Sequence, residues 1–592
     1  MRVFLRPLRL LCLLCPLLAL TLLASAADVA AGMPGNALQH QVDTLIESAL
    51  PDFAKHASPL CSDAEFLRRV TLDLTATIPS SAATRRFLAD TTASAIKRAR
   101  LIDRLLASPA YARRMQYLLD WILMERRTSE NVRSAAWQAY LRQAAVENRP
   151  WDQLAHEILV EGGGGDSNTR PRARFYLDRE FDLTVVTRDV GRIFLGKDLE
   201  CAQCHNHPVV DAYLQRHYYG LKAFLDRSYV FTDPKSKKKS LGEKAEGDVT
   251  FTSAFDDTKG KTSPRILDLA EIIDPDGSNK QYVTKPGKSA GGVPRYSRRR
   301  QLGIAVTAEQ NRAFRLNIAN RLWAAMMGRG LVEPLDLAHA ANPPSHPELL
   351  GLLGDQLHDH GYDMKWFLGQ LARTRTYQRS SLTRDASAQI ALKHFGVGLL
   401  KPLSPEQYAW AAMEATGLLA STRTAARKKL EADAAKAAKP ATKPATKPDT
   451  QPATKPGGSN NVASTISAAA LETAVDEVVA VHIKAFVTQF AAEGGQKTSF
   501  SATAPQALFL VNGTLIRDWL KPTTSNLTGR LSKLDDQPAI AEELYIGILN
   551  RPPTPAEQAE VIGYLAATAD RTAAITELTW ALLLSAEFRF NH

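Results

Sequence analysis

Cysteine is close to absent: there are five in 592 residues, and two of those, Cys12 and Cys15, fall inside the first 26. Beyond that point only Cys61, Cys201 and Cys204 remain. An odd number of thiols excludes a complete disulfide framework, so buried apolar surface has to hold the fold. After Leu23 no apolar run is long enough to cross a bilayer, which excludes a transmembrane segment in the mature chain. No basic helix carries interleaved aromatics, which excludes nucleic acid as a partner. A zinc-protease helix, a glycine-rich phosphate loop after a strand and a pair of placed carboxylates are also missing. Gly162-Gly163-Gly164-Gly165 follows a helical pattern rather than a strand and reads as a C-cap and loop. Gly287-Lys-Ser289-Ala-Gly291 has the spelling of a nucleophile elbow, but no apolar strand precedes it, so it reads as a loop.

What is present starts with a leader. Arg2, Arg6 and Arg9 precede a Leu-rich run from Leu10 to Leu23, interrupted by Pro16, and Ala24-Ser25-Ala26 forms a small-residue cleavage site. This pattern predicts a secretory signal peptide over 1–26 and an exported protein, periplasmic or associated with the cell envelope. The formal net charge of +11 is concentrated in Lys235–Lys239 and in Arg423–Lys455, which read as solvated loop and linker.

The patterning predicts a mainly α fold: two helical regions, a small β-containing insert and a Pro/Lys-rich disordered linker. The first region spans 27–230. Ser62-Asp-Ala-Glu65 is a capping box ahead of Phe66, Val70 and Leu74 at helical spacing. Residues 231–300 are rich in Gly, Lys, Ser, Asp and Pro, and Asp248–Ser253 alternates like a strand. The second region runs over 301–420 and 462–592. Phe314, Ile318, Leu322 and Ala325 line one face of a helix there, and Ser345-His-Pro-Glu348 is a capping box for the next. Arg321 reads as a buried arginine facing a carboxylate, and His339, His358 and His360 as residues that could gather near His346. Between the two parts, 421–461 carries Lys-Pro-Ala-Thr repeats and reads as an extended linker.

One short stretch concentrates reactive side chains. Cys201-Ala-Gln-Cys204-His205 is a C-x-x-C-H, followed by His207 and Pro208. The spacing matches covalent attachment of haem c: thioethers from Cys201 and Cys204, and iron ligation by His205. His217, one helix away, is the nearer candidate for a distal ligand, because Met326 and Met327 lie in the other helical region and read as core. The same spacing admits zinc or iron, held by Cys201 and Cys204 with His205 or His207, and with His217 as fourth ligand. It also admits a strained Cys201–Cys204 disulfide or two thiols that only brace the loop.

Several segments together carry a resemblance. Phe66-Leu-Arg-Arg-Val-Thr-Leu-Asp-Leu-Thr75, Asn148-Arg-Pro150, Cys201–Pro208 and Tyr218-Tyr-Gly-Leu221 resemble the planctomycete-type cytochrome-like proteins of domain of unknown function fifteen-forty-nine. Asn317–Trp323, Gly328–Pro334, Asn342–Leu349, Tyr377-Gln378, Ser404–Gln407 and Trp580–His592 are similar to their usual partner, domain of unknown function fifteen-fifty-three. The resemblance covers most of the mature chain. It implies a cytochrome label that rests on the cysteine motif, with no established biochemical role. The family commonly has Asp where this chain has Asn206.

The expected function is therefore an exported c-type haem protein that passes electrons to or from a partner in the envelope. Two others stay open: a non-redox envelope scaffold with structural zinc or iron, and an enzyme acting on an extracellular polymer.

Overall fold

A computed structural model describes residues 36–164, 167–207, 210, 213–255, 257, 259–277, 281–382, 392–437, 466–491 and 503–592. The expected signal peptide and the Lys-Pro-Ala-Thr repeats lie outside the described residues. The architecture is mainly α. Six helices position everything that follows: α1 (Asp63–Thr75), α2 (Pro109–Met124), α3 (Leu183–Leu195), α4 (Gln215–Leu225), α5 (Arg312–Met327) and α6 (Pro405–Thr416). Among the described residues, strands come only as two-stranded antiparallel ribbons. β1 (Ser228–Thr232) pairs with β2 (Lys239–Glu243), β3 (Val249–Thr252) with β4 (Lys259–Thr262), and β5 (Tyr282–Thr284) with β6 (Val293–Pro294). The Gly287–Gly291 spelling sits in the turn between β5 and β6, and Ser289 is exposed on it. That is a hairpin, not the strand-to-helix turn a nucleophile elbow needs.

α1 shows how sequence becomes packing. The Ser62 hydroxyl accepts from the Glu65 amide at 3.2 Å and satisfies one orphan donor of the first turn. Phe66, Val70 and Leu74 recur at helical spacing and are all buried in one core, while Leu72 enters another. The helix is thus enclosed on every side, and its polar residues must find partners inside the protein. Arg68 donates to Ile548 O, Asn550 Oδ1 and Phe588 O; burial lowers its pKa to about 10. Arg69 donates to the carbonyls of Tyr377 and Arg379, both at 2.7 Å. Asp73 accepts from Tyr377 Oη at 2.7 Å, Asn591 Nδ2 at 2.8 Å and Lys401 Nζ at 2.6 Å. β7 (Lys401–Pro402) pairs with β8 (Phe590–Asn591), which brings Lys401 and Asn591 to Asp73 from opposite ends of the second half.

The cores do not divide where composition changes. One core runs from Leu38 to Phe395 and takes in α5 and the helix Pro347–Asp359; the other runs from Tyr408 to Phe588 and admits Leu72 and Ile78. The first half of the second helical region therefore packs with the first region. Trp151 stacks on Phe194 at 6.0 Å and on Phe314 at 6.2 Å, and this aromatic column joins them.

Three local expectations are corrected. The helix after Asn342 starts at Pro347 with His346 at its N-cap and no side-chain cap; the Ser345 hydroxyl meets His346 Nδ1 instead. Ser345 therefore lies one residue before the N-cap, out of register for a capping box with Glu348. The stretch expected as linker from 421 continues a helix, Leu418–Ala437, whose Arg423 pairs with Glu414 at 2.9 Å. Arg321 donates to Asn317 Oδ1 and Arg192 O rather than to a carboxylate.

Candidate functional site

The C-x-x-C-H loop is fixed at its root before it reaches solvent. Asp182 caps α3, accepting from the Thr184 and Val185 amides. Gly196 ends the helix with φ +67°, and a Cβ there would lie 2.9 Å from Asn317 Oδ1 on α5, so glycine is required on both counts. The chain is then strapped to residues 336–338: Asp198 N donates to Asp336 O at 2.8 Å, Ala338 N to Gly196 O at 3.0 Å, and Lys197 Nζ to Ala338 O.

A buried ionic cluster stands behind the strap. Arg192 donates to Asp336 at 2.8 Å, and to Glu125 and Asp189 at 2.9 Å each; Arg179 donates to Asp189 at 2.6 Å. Burial opposes the charge on Arg192, but Glu125 and Asp189 outweigh it and raise its pKa. Asp189 is lowered by the two arginines despite its own burial.

Cys201–Gln203 forms a single 3-10 turn, closed by Cys204 N to Cys201 O at 3.3 Å. Residues three apart eclipse in that geometry, so Cys201 and Cys204 project on the same side while Ala202 is fully buried. Both thiols are exposed, and no disulfide joins them in this structure. Two contacts hold the turn from below: Tyr219 Oη donates to Gln203 O at 2.9 Å and Ala254 N to Cys204 O at 2.8 Å.

The three histidines near the turn differ in which nitrogen is left. His205 Nδ1 lies 2.7 Å from the Asn206 carbonyl, an acceptor, so Nδ1 carries the proton and the Nε2 lone pair is outward. The exposed Phe255 ring sits 4.2 Å from its imidazole. His207 Nδ1 accepts from Val210 N at 3.0 Å, which puts its proton on Nε2. His217 is 1% exposed; its Nδ1 takes the Leu214 amide at 3.4 Å and its Nε2 faces Asp268 at 2.9 Å. Asn206 Oδ1 accepts from Gln215 N at 2.9 Å in the first turn of α4.

Cys201, Cys204 and His205 are therefore together on one turn, whereas His207 and His217 serve the loop and the α4 N-terminus. Among the described residues no three His, Cys, Asp or Glu side chains gather as a metal-holding group. His339 does not join His346. It packs on Tyr213 at 5.3 Å, and burial followed by Lys197 and His207 lowers its pKa. His346 meets His394 at 5.6 Å, while His358 packs on Tyr362 and His360 on Trp366. Met326 and Met327 are buried in the core as expected.

Residues the motif reading missed line a cavity of about 550 Å³ among α2, α5, α6 and β7, with Asp73 at its wall. Their signal was present only as scattered cations, because Arg114 and Arg126 at α2, Arg329 and Lys401 come from three separate parts of the chain.

No curated protein and no solved structure matches the chain. Residues 41–229 match the family described as Protein of unknown function (DUF1549), also labelled PSCyt2, and 298–565 match Protein of unknown function (DUF1553), labelled PSD1. The Cys201 turn lies in the first match; the strap that holds it and most of the cavity wall lie in the second. The chain belongs to the proteins that join DUF1549 in the N-terminal half to DUF1553 in the C-terminal half.

Proposed function

We propose that this chain is an exported c-type haem protein with an electron-transfer role in the cell envelope. The observation that carries the reading is the donor set of one turn: two exposed thiols eclipsed on one side, and an imidazole whose Nδ1 proton is committed to a backbone carbonyl. That commitment directs the Nε2 lone pair outward, the arrangement an iron-ligating histidine adopts when a carbonyl fixes its tautomer. Cys201 and Cys204 would each add across a vinyl group, the thiol proton passing to the neighbouring carbon, so attachment needs no oxidant. Bound there, haem c supplies a one-electron iron couple whose potential depends on ligation and burial. The chain's own contribution is positioning. Asn206 O orients His205, the exposed Phe255 ring offers a planar apolar face beside it, and the 336–338 strap fixes the turn against the ionic cluster. His217 is spent on Leu214 N and Asp268 and would serve the α4 N-terminus rather than the haem.

The test is expression of the full chain in a periplasm with haem-attachment machinery. A Soret band that stays with the polypeptide after denaturation is expected, and Cys201→Ser should abolish two-point attachment. A colourless polypeptide from a strain that matures a control cytochrome would sink the reading.

A further inference from the structure

The 550 Å³ cavity is built from both family segments. Arg114, Leu118 and Trp121 come from α2 in the first; Arg329, Leu335 and Lys401 come from the second. Its size is within the range of small-molecule sites, about 300–1,000 Å³. Five cationic side chains line it against three carboxylates, Asp73, Glu333 and Glu406. Arg589 has a partner of its own, and two further cations are matched by these carboxylates. Lys401 holds both oxygens of Asp73 at 2.6 Å, and Arg126 grips Glu406 at 3.0 and 3.1 Å.

Arg114 and Arg329 are different. Arg114 uses Nε on the Asp73 carbonyl at 3.0 Å, and its two terminal nitrogens have no acceptor among the described residues. That single bond orients a planar fork whose free edge suits a carboxylate, sulfate or phosphate oxyanion. Arg329 lies 5.6 Å from the Phe395 ring and makes no ion pair with a described residue. The lining also offers apolar surface: Trp121 is half-buried and Leu400 is 58% exposed. Backbone strain sits at the same wall, where Glu125 and Arg126 leave α2 with φ +48° and +57°. Non-glycine residues hold such angles at some cost, and here the turn aims Arg126 into the cavity and Glu125 away to Arg192.

We propose that this cavity binds a small organic anion, its oxyanion on Arg114 and Arg329 and its ring or apolar body against Trp121 and the leucines. The site exists only where the two family segments meet. Its wall is also continuous with the haem-loop strap, since Leu335 lines the cavity and the next residue, Asp336, accepts the Asp198 amide. The proposal does not depend on haem attachment.

Calorimetric titration of the full chain tests it with benzoate, phenyl sulfate and phenyl phosphate as ring-bearing anions, inorganic sulfate as the bare anion and benzyl alcohol as the bare ring. At least one ring-bearing anion should saturate at one site, with the bare anion and bare ring at least about tenfold weaker. Arg329→Ala and Arg114→Gln should each weaken that ligand about tenfold or more. Arg329→Ala breaks no ion pair, so its circular dichroism and thermal midpoint should match the parent and separate lost binding from lost folding. Arg133→Ala, at the open cavity beside the insert, should bind as the parent does. No saturation by any ring-bearing anion up to millimolar concentration overturns the proposal. So does binding that survives both substitutions, or equal binding by inorganic sulfate.

Discussion

Cys201 and Cys204 stand in solvent with unbonded thiols, whereas Asp73, with its side chain 2% exposed, is held by Tyr377, Asn591 and Lys401. Both places carry segments by which the chain resembles its family. Packing accounts for one and not for the other. A buried carboxylate needs partners, and Tyr377, Lys401 on β7 and Asn591 on β8 supply them from three distant stretches. Gln407 donates to Leu72 O at 3.0 Å. The thiols contribute no such contact. A residue that burial does not explain is the better place to look for chemistry, and here that is the Cys201 turn.

The largest expected effect breaks the buried side of this comparison. Asp73→Ala leaves the Lys401 ammonium in a low-dielectric site with only the carbonyls of Ala325 and Met326. Burial already lowers the Lys401 pKa against the pull of Asp73. Removing the carboxylate should cost about 3–5 kcal/mol, read as a shift of the urea midpoint at constant slope. A loss below about 1 kcal/mol would mean that the nexus does not hold the halves together.

The next effect is a pH dependence on the same buried side. His346 is 4% exposed, and burial, then His394 and Arg329, lower its pKa from 6.5 to about 4. A depressed value means that the unfolded chain takes up the proton first as pH falls. The stability is present above 6.5, is lost as pH falls toward about 4, and falls no further below that. The span corresponds to roughly 3 kcal/mol. His346→Gln should flatten the stability profile across that window, and a variant with an unchanged profile would assign the dependence to other groups.

What could be read from the sequence follows the range of the interactions. Ser62, Phe66, Val70 and Leu74 mark α1 because capping and helical spacing are local. The mainly α character and the burial of Met326 and Met327 were legible for the same reason. The core boundary was not, because Leu72 leaves its own helix's core for residues more than three hundred positions away. Arg321 was placed in the interior from sequence, but its acceptors, Asn317 Oδ1 and a carbonyl on α3, depend on how two helices cross. At the site, Cys201, Cys204 and His205 are contiguous and their grouping on one turn was legible. His217 is close in sequence, yet its ring is needed at the start of α4, and spacing alone cannot register that competing hydrogen bond. The cavity was invisible because no two of its unmatched cations share a segment.

The smallest effect sharpens the exposed side. Asn206 Oδ1 accepts from Gln215 N in the first turn of α4. A carboxylate there would keep that bond and add a negative charge at the positive end of the helix dipole. Asn206→Asp should therefore stabilise the protein by about 0.3–1 kcal/mol at low salt and lose most of that gain at high ionic strength. The same substitution places the charge one residue from His205, whose Nδ1 proton is held by the residue 206 carbonyl. In the haem-attached protein it should lower the midpoint potential, because a nearby negative charge favours the oxidised iron. A stability gain with no change in potential would leave residue 206 as a helix contact alone; a shift in potential that salt reduces would tie it to the electrostatics of the turn.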